Sequence, residues 1–225
     1  MHMDGVMEIL NEKLGKPRLE DRQAPIGVNP EAKFSEILFS IRWHEFFPHA
    51  MTPEGYRLEL SNYDECIDFS KIHHEELFGI GKDSPFIWIE FSEKKRIYYE
   101  KMVDFFRITH QGKLIGVHCG APSDWGSYYL RHSMILKDHQ GRGLYQQLLQ
   151  YTFAILQNHG VQRVEGDIVV KNTKNMQLFQ KLGFHMNGFN VSERWGAMVH
   201  LTKHLDPRYQ SVFERQFCHG FENNK

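Results

Sequence analysis

Residues 140–143 read Gln-Gly-Arg-Gly, a set of types and spacings suited to holding an anion. Glycine lets the backbone approach a ligand with no Cβ in the way. Leu144 and Tyr145 follow and open an apolar-periodic stretch, so the two glycines stand where a helix begins. The first amides of a helix have no intrahelical partner and carry partial positive charge, which favours a phosphate group there. Arg142 adds a charge-assisted donor. The same glycine pair also makes an ordinary turn. It lacks both the Lys-Ser/Thr of a nucleotide P-loop and the third glycine of a dinucleotide fingerprint. Other reactive side chains give less. His73-His74-Glu75-Glu76 has Phe78 where a zinc-protease helix needs its second histidine, and it reads as a solvated helix face. Cys218-His219 has no further ligand at metal-binding spacing. Cys66, Cys119 and Cys218 are scattered and odd in number, which argues against a disulfide framework and suits a reducing compartment.

The glycine turn needs a strand before it and a helix after it, and the pattern supplies both. Residues 127–136 (SYYLRHSMIL) read as a strand, and Leu144 to Gln157 as a helix stopped by Asn158-His159-Gly160. Upstream, residues 55–60 read as a strand and Asn62 to Phe78 as a helix ended by Gly79. Residues 86–102 read as a second helical stretch whose first half also suits an extended segment, and 104–121 as a hairpin around His110-Gln111-Gly112-Lys113. Downstream come a strand at 163–170, a helix from Thr173 to Leu182 before Gly183, and a closing pair of strands. This order predicts a mixed sheet with helices on its faces. Residues 1–33 are polar and carry Pro17, Pro25 and Pro30, with a short helix expected at about 4–14. Trp43, Phe46 and Phe47 suit a core or a dimer contact, or the wall of an acceptor pocket.

Composition narrows the class. The 225 residues are 41% hydrophobic and 24% charged, as in ordinary globular proteins. A net charge of −1 leaves no electrostatic footprint for nucleic acid or an anionic membrane. No apolar run approaches the ~20 residues of a membrane span. The N-terminal segment has no apolar core of signal-peptide type, so a cytoplasmic location is expected.

The run Gln140-Gly141-Arg142-Gly143-Leu144-Tyr145 resembles the Q/R-x-x-G-x-G/A signature of the GNAT superfamily of acyl-CoA-dependent N-acetyltransferases. Ile135 takes that family's apolar position at the end of the fourth strand. Residues 172–184 (NTKNMQLFQKLGF) resemble its second motif, N-x-x-A-x-x-L-Y-x-K-x-G-F. Asn172, Leu178, Lys181, Gly183 and Phe184 match; Asn175 and Phe179 do not. The resemblance covers about residues 54–205. It implies an α/β (mixed α+β) GNAT fold: a mostly antiparallel mixed sheet of six to seven strands, flanked by helices and splayed between strands four and five. The implied organisation is an N-terminal extension at 1–50, the acyltransferase domain at 51–205 and a tail at 206–225.

The resemblance also implies roles. Backbone amides of Gln140, Gly141, Arg142, Gly143, Leu144 and Tyr145 would hold the pyrophosphate of coenzyme A. Met134, Ile135, Leu136 and Lys137 would pair with the pantetheine arm. Asn172 would border the splay, with Asn175 and Phe179 on the following helix. An amine with pKa ~10.4 is neutral in only about one molecule in a thousand at pH 7, so the site must accept a proton. The family often places a water-holding or basic group eleven residues before the loop glutamine, which here is Tyr129. By alternation Arg131 and Ser133 share its face, and His132 lies opposite unless a bulge intervenes. His118, Glu165 and Asp167 are further candidates. Phe179 stands where the family's proton-donating Tyr would be, leaving Tyr145, Tyr129 or water as substitutes. The implied activity is acetyl transfer from acetyl-CoA to a small-molecule amine or lysine-like acceptor, with no metal, no nucleic acid and no membrane partner; a homodimer is compatible. The alternatives are a non-catalytic acyl-CoA sensor, or an acyltransferase with a longer acyl-CoA or acyl carrier protein as donor, which the bulky Tyr145 would suit.

Overall fold

The computed structural model describes residues 32–79 and 92–218. In chain order these form α1 (Phe34–Phe39), β1 (His49–Met51), β2 (Tyr56–Leu60), α2 (Tyr63–Phe78), α3 (Glu93–Met102), β3 (Asp104–His110), β4 (Lys113–Pro122) and β5 (Ser127–Ile135). Then come a 3-10 turn at Lys137–His139, α4 (Leu144–Asn158), β6 (Arg163–Val169), α5 (Thr173–Lys181), β7 (His185–Ser192), β8 (Gly196–His204) and α6 (Pro207–Phe213), which runs into a π-helical turn. The helix expected at 4–14 and the first part of the 86–102 stretch lie outside the described residues. Local chemistry sets the helix ends. Asn62 caps α2 by accepting the Glu65 N–H, and Gly79 ends it in the left-handed conformation.

The strands make one sheet of eight, ordered β1-β2-β3-β4-β5-β6-β8-β7. The count exceeds the expected six to seven because the three-residue β1 is too short to leave a periodic signature. Every pairing is antiparallel except β5 with β6. Those two strands, the fourth and fifth of the expectation, pair only from Ser127–Arg163 to Leu130–Gly166. Beyond that point β5 continues against β4 alone and β6 against β8 alone, so the sheet parts between them.

Each face carries its own core. On one face α4 buries Leu148, Leu149, Phe153, Ile155 and Leu156 against Phe106, Tyr128, Leu130, Val164 and Leu201. On the other, Cys66 and Phe69 of α2 meet Phe105, Val117, Cys119 and Met134. Phe39, Ile41, Trp43 and Phe46 join the α4-face core, and Phe47 packs against it. A buried polar knot ties this early segment down. Asp104 accepts hydrogen bonds from Ser35 (2.7 Å) and Tyr128 (3.0 Å), while Lys33 donates to the Glu100 and Val103 carbonyls.

Candidate active site

The glycine turn sits where the sheet parts. Gly141 and Gly143 have φ of +74° and +75°, a region that side chains with a Cβ rarely adopt. A Cβ at Gly141 would meet nothing within 4 Å, so the surface over the turn is open. Gly143 is the residue before α4, and no side chain caps the helix there. A fifteen-residue helix thus opens on unsatisfied amides aimed out of an open turn. Braces hold the turn in place. Gln140 Nε2 donates to the Ile135 carbonyl (2.8 Å), and Tyr56 Oη meets His139 Nδ1 at 2.8 Å. Gln147 Oε1 accepts from both Thr52 N–H (2.8 Å) and Thr52 Oγ1 (2.9 Å). Arg142 turns back toward the Asp138 carbonyl at 3.3 Å rather than across the turn.

Strand β5 leads from the turn to the point of parting, and it carries a bulge. Cys119 and Gly120 are adjacent on β4, yet they pair with His132 and Leu130, so Arg131 is the extra residue. The slip resets the alternation. Ser133, expected beside Tyr129, lies on the α4 face, where its Oγ meets His118 Nδ1 at 2.7 Å. His132 lies on the α2 face with Tyr129. Arg131 itself is exposed, with its guanidinium over the Tyr99 ring. Met134 is buried on the α2 face, whereas Ile135 packs on the α4-face core.

On the α4 face, Tyr145 in the first turn of its helix packs against the core, with its ring centroid 6.2 Å from that of His118. Burial pushes its phenol up to about 12, and burial holds the His118 imidazole down to about 3. Phe179 is buried, with ring centroids 4.6 Å from Phe184 and 6.4 Å from Tyr145. Asn172 caps α5 by accepting the Asn175 N–H (3.2 Å), which commits its side-chain oxygen. Both asparagines stand at the far lip of the parting, after the end of β6.

On the α2 face, Tyr129 donates to Asp167 Oδ2 at 2.5 Å across the last paired rungs. Asp167 Oδ1 also accepts from Asn190 Nδ2 and His200 Nδ1, each at 3.0 Å. Burial and the neighbouring carboxylate hold the Tyr129 phenol well above its ordinary value. Glu165 instead binds Arg163, at 2.8 Å. His132 belongs to a ring cluster: Phe78 and Trp195 lie 5.6 and 6.3 Å away, and His74 packs on both at 5.0 and 5.6 Å. Burial, with His74 and Arg194 beside it, holds the His132 imidazole down to about 4. His74 is therefore buried, at 3% exposure, rather than on a solvated face, because α2 turns that side toward the β7–β8 hairpin.

Sequence reasoning missed His200, Asn190 and Trp195, and placed His74 on a solvated face. His200 left a signal, since it alternates with the buried Val199 and Leu201 and so faces the other way. Trp195 left none; its place depends on how one hairpin turn meets a distant helix. Burial pushes the Cys66 and Cys119 thiols up to about 11 and 12, so neither is poised as a nucleophile. Among the described residues, no three His, Cys, Asp or Glu side chains come together to hold a metal ion.

An eight-stranded mixed sheet parted beside a glycine turn and an uncapped helix is the frame of an acetyltransferase of the GNAT type. The model of the acetyltransferase (GNAT) family matches residues 68–184, just over half of the chain, and the chain belongs to that family. No curated protein matches the chain. Similar solved structures include yncA of Salmonella typhimurium with acetyl-CoA, at 15% identity and TM-score 0.51, covering 68% of this chain and 95% of that one. A GNAT family acetyltransferase from Elizabethkingia anophelis with acetyl-CoA bound is 14% identical at TM-score 0.50, covering 67% and 98%. Spermidine/spermine N-acetyltransferase SpeG of Vibrio cholerae is 15% identical at TM-score 0.50, covering 70% and 96%. At these identities the likeness is one of fold.

Proposed function

We propose that the protein transfers an acetyl group from acetyl-CoA to a primary amine by direct attack. The observation that carries this reading is the parting of β5 from β6 after Leu130 and Gly166, with the open turn at Gly141–Gly143 at its far end. The freed edge of β5 suits an arm with alternating amides, which binds as an added strand. The turn and the α4 N-terminus suit the pyrophosphate. Two solved structures of the same fold hold acetyl-CoA, which supports the choice of donor.

The amine enters from the α2 face. Tyr129 Oη, its own proton engaged by Asp167, keeps lone pairs for the N–H of the amine. As nitrogen attacks the thioester carbon, its proton moves to Tyr129 Oη and the tyrosine proton moves on to Asp167 Oδ2. Asn190 and His200 hold that carboxylate in place. His132 sits among the Phe78 and Trp195 rings rather than on a carboxylate, so it lines the approach instead. The amine of this reading is a small molecule or a lysine-like side chain; among the similar structures is a spermidine/spermine N-acetyltransferase.

Calorimetry with acetyl-CoA and with coenzyme A, followed by thiol release over a panel of polyamines, lysine derivatives and arylalkylamines, tests the reading. Binding with release confirms it. Binding without release from any amine favours a non-catalytic acyl-CoA sensor, a reading that draws on the missing hydroxyl at Phe179. Tighter binding of longer acyl-CoAs would shift the donor, and no binding at all would refute the site.

A further inference from the structure

The arginines of the sheet are Arg57, Arg107, Arg131 and Arg163, and all but Arg131 are ion-paired. Arg57 meets Glu59 at 3.7 Å, Arg107 binds Glu59 (3.0 Å) and Glu65 (2.7 Å), and Arg163 binds Asp124 (2.6 Å) and Glu165 (2.8 Å). Arg131 is exposed, with its guanidinium 5.4 Å from the centre of the Tyr99 ring, and among the described residues no carboxylate pairs with it. We infer that Arg131 holds a carboxylate of the acceptor, so that the amine acetylated here belongs to an amino acid rather than to a polyamine. The inference rests on the acyltransferase reading above and names the substrate class of that site.

Leu130 makes the last rung with β6, at Gly166, so Arg131 is the first residue of β5 beyond the parting. It is also the extra residue of the bulge, which no β4 partner opposes. Tyr99 of α3 packs on the α2-face core, so the guanidinium above it lies on the face by which the amine enters. Tyr129, two residues back and about 7 Å away along the strand, reaches the other way, to Asp167 on β6. An acceptor lying across β5 then has its amine at Tyr129 and its anion at Arg131. The two side chains are close enough to sense each other: burial and Asp167 raise the Tyr129 phenol, and the charge of Arg131 pulls it down. A guanidinium over a ring face keeps edge donors for a planar anion, and a carboxylate matches that fork bidentately. The carboxylates nearby are already engaged. Asp167 accepts from Tyr129, Asn190 and His200, and Glu165 is taken by Arg163 and Ser123. Arg194 adds a second positive charge beside His132. A polyamine would bring its remaining ammonium groups to these two arginines, whereas an amino acid brings a carboxylate.

The test measures thiol release from acetyl-CoA with matched acceptors: phenylalanine against phenylalaninamide, lysine against cadaverine, and γ-aminobutyrate against butylamine. Wild type is compared with Arg131→Gln and Arg131→Glu, and calorimetry follows acetyl-CoA binding in all three. For at least one pair, wild-type kcat/KM is expected to favour the carboxylate by roughly 10- to 100-fold, the scale of a charge-assisted contact. Arg131→Gln should bring that ratio near one, through the KM of the acceptor, and Arg131→Glu should turn it toward cadaverine. The ratio is the readout because removing the charge also acts on Tyr129, for every acceptor alike. A wild type that turns over the neutral amines and the diamine as fast as their carboxylates overturns the role of Arg131 alone. So does a ratio that survives in Arg131→Gln, or a loss of acetyl-CoA binding in both variants. A wild type that binds no acetyl-CoA, or releases thiol with none of these amines or of the panel above, sinks the acyltransferase reading itself.

Discussion

At the scale of single residues, the question is which side chain takes the proton of the amine. His132 and Tyr129 share a face, but their surroundings differ. His132 is packed among Phe78, Trp195 and His74, with rings rather than a carboxylate against it to pass a proton on to. Tyr129 reaches Asp167 at 2.5 Å, and that carboxylate is already steadied by two further donors. Tyr129→Phe and Asp167→Asn are therefore expected to lower kcat by about 100-fold or more, with acetyl-CoA affinity retained. His132→Gln should cost much less. Steady-state kinetics on the three variants checks the order, and a larger loss at His132 would transfer the role to the histidine.

At the scale of elements, the site depends on a turn and a bulge. The turn was legible in the sequence because its determinants are local: two glycines two apart, then an apolar period that needs a helix N-terminus. Gly143→Asp adds a Cβ at φ +75° and a negative charge at the anion site. It should weaken coenzyme A binding at least about five-fold by calorimetry, since one such charge contact is worth roughly 1 kcal/mol or more. Unchanged affinity would remove the turn from the site. The bulge was not legible. It is a one-residue slip set by how β5 meets β4, and nothing in SYYLRHSMIL marks Arg131 as the extra residue. That slip placed Ser133 and His132 on faces opposite to simple alternation. Deleting Arg131 leaves Tyr129, His132, Ser133 and Met134 on their present faces but removes the bend. The deletion variant is expected to fold, by circular dichroism, and to lose acetyl-CoA binding; full binding would show that the parting does not depend on the bulge.

At the scale of the whole molecule, buried ionisable groups make stability depend on pH. His118 and His132, held down to about 3 and about 4, lie below the ~6.5 of an unfolded histidine. The unfolded chain then binds more protons below that pH, so their contribution is full above ~6.5 and is lost as pH falls toward 4. Asp104, raised to about 6 by burial, acts in the opposite sense: its contribution is full below ~3.9 and is lost as pH rises through 6. Two histidines outweigh one aspartate, so the melting temperature should drop between pH 7 and pH 5. A rise on acidification would mean that the histidines are charged in the folded protein. The strand and helix order across the sheet could be read from periodicity, whereas β1 and the seating of Trp43 on Phe106 and Tyr128 could not. β1 is too short to leave a period, and the Trp43 contacts join residues 63 and 85 positions apart.

The central claim is that the turn at Gln140–Tyr145 and the freed half of β5 together hold acetyl-CoA. Amide hydrogen exchange with and without acetyl-CoA tests it most directly. Slower exchange confined to residues 132–135 and 141–145, with the paired half of β5 at 127–130 unchanged, is the predicted result. Binding that protects other segments and leaves these two untouched would contradict it.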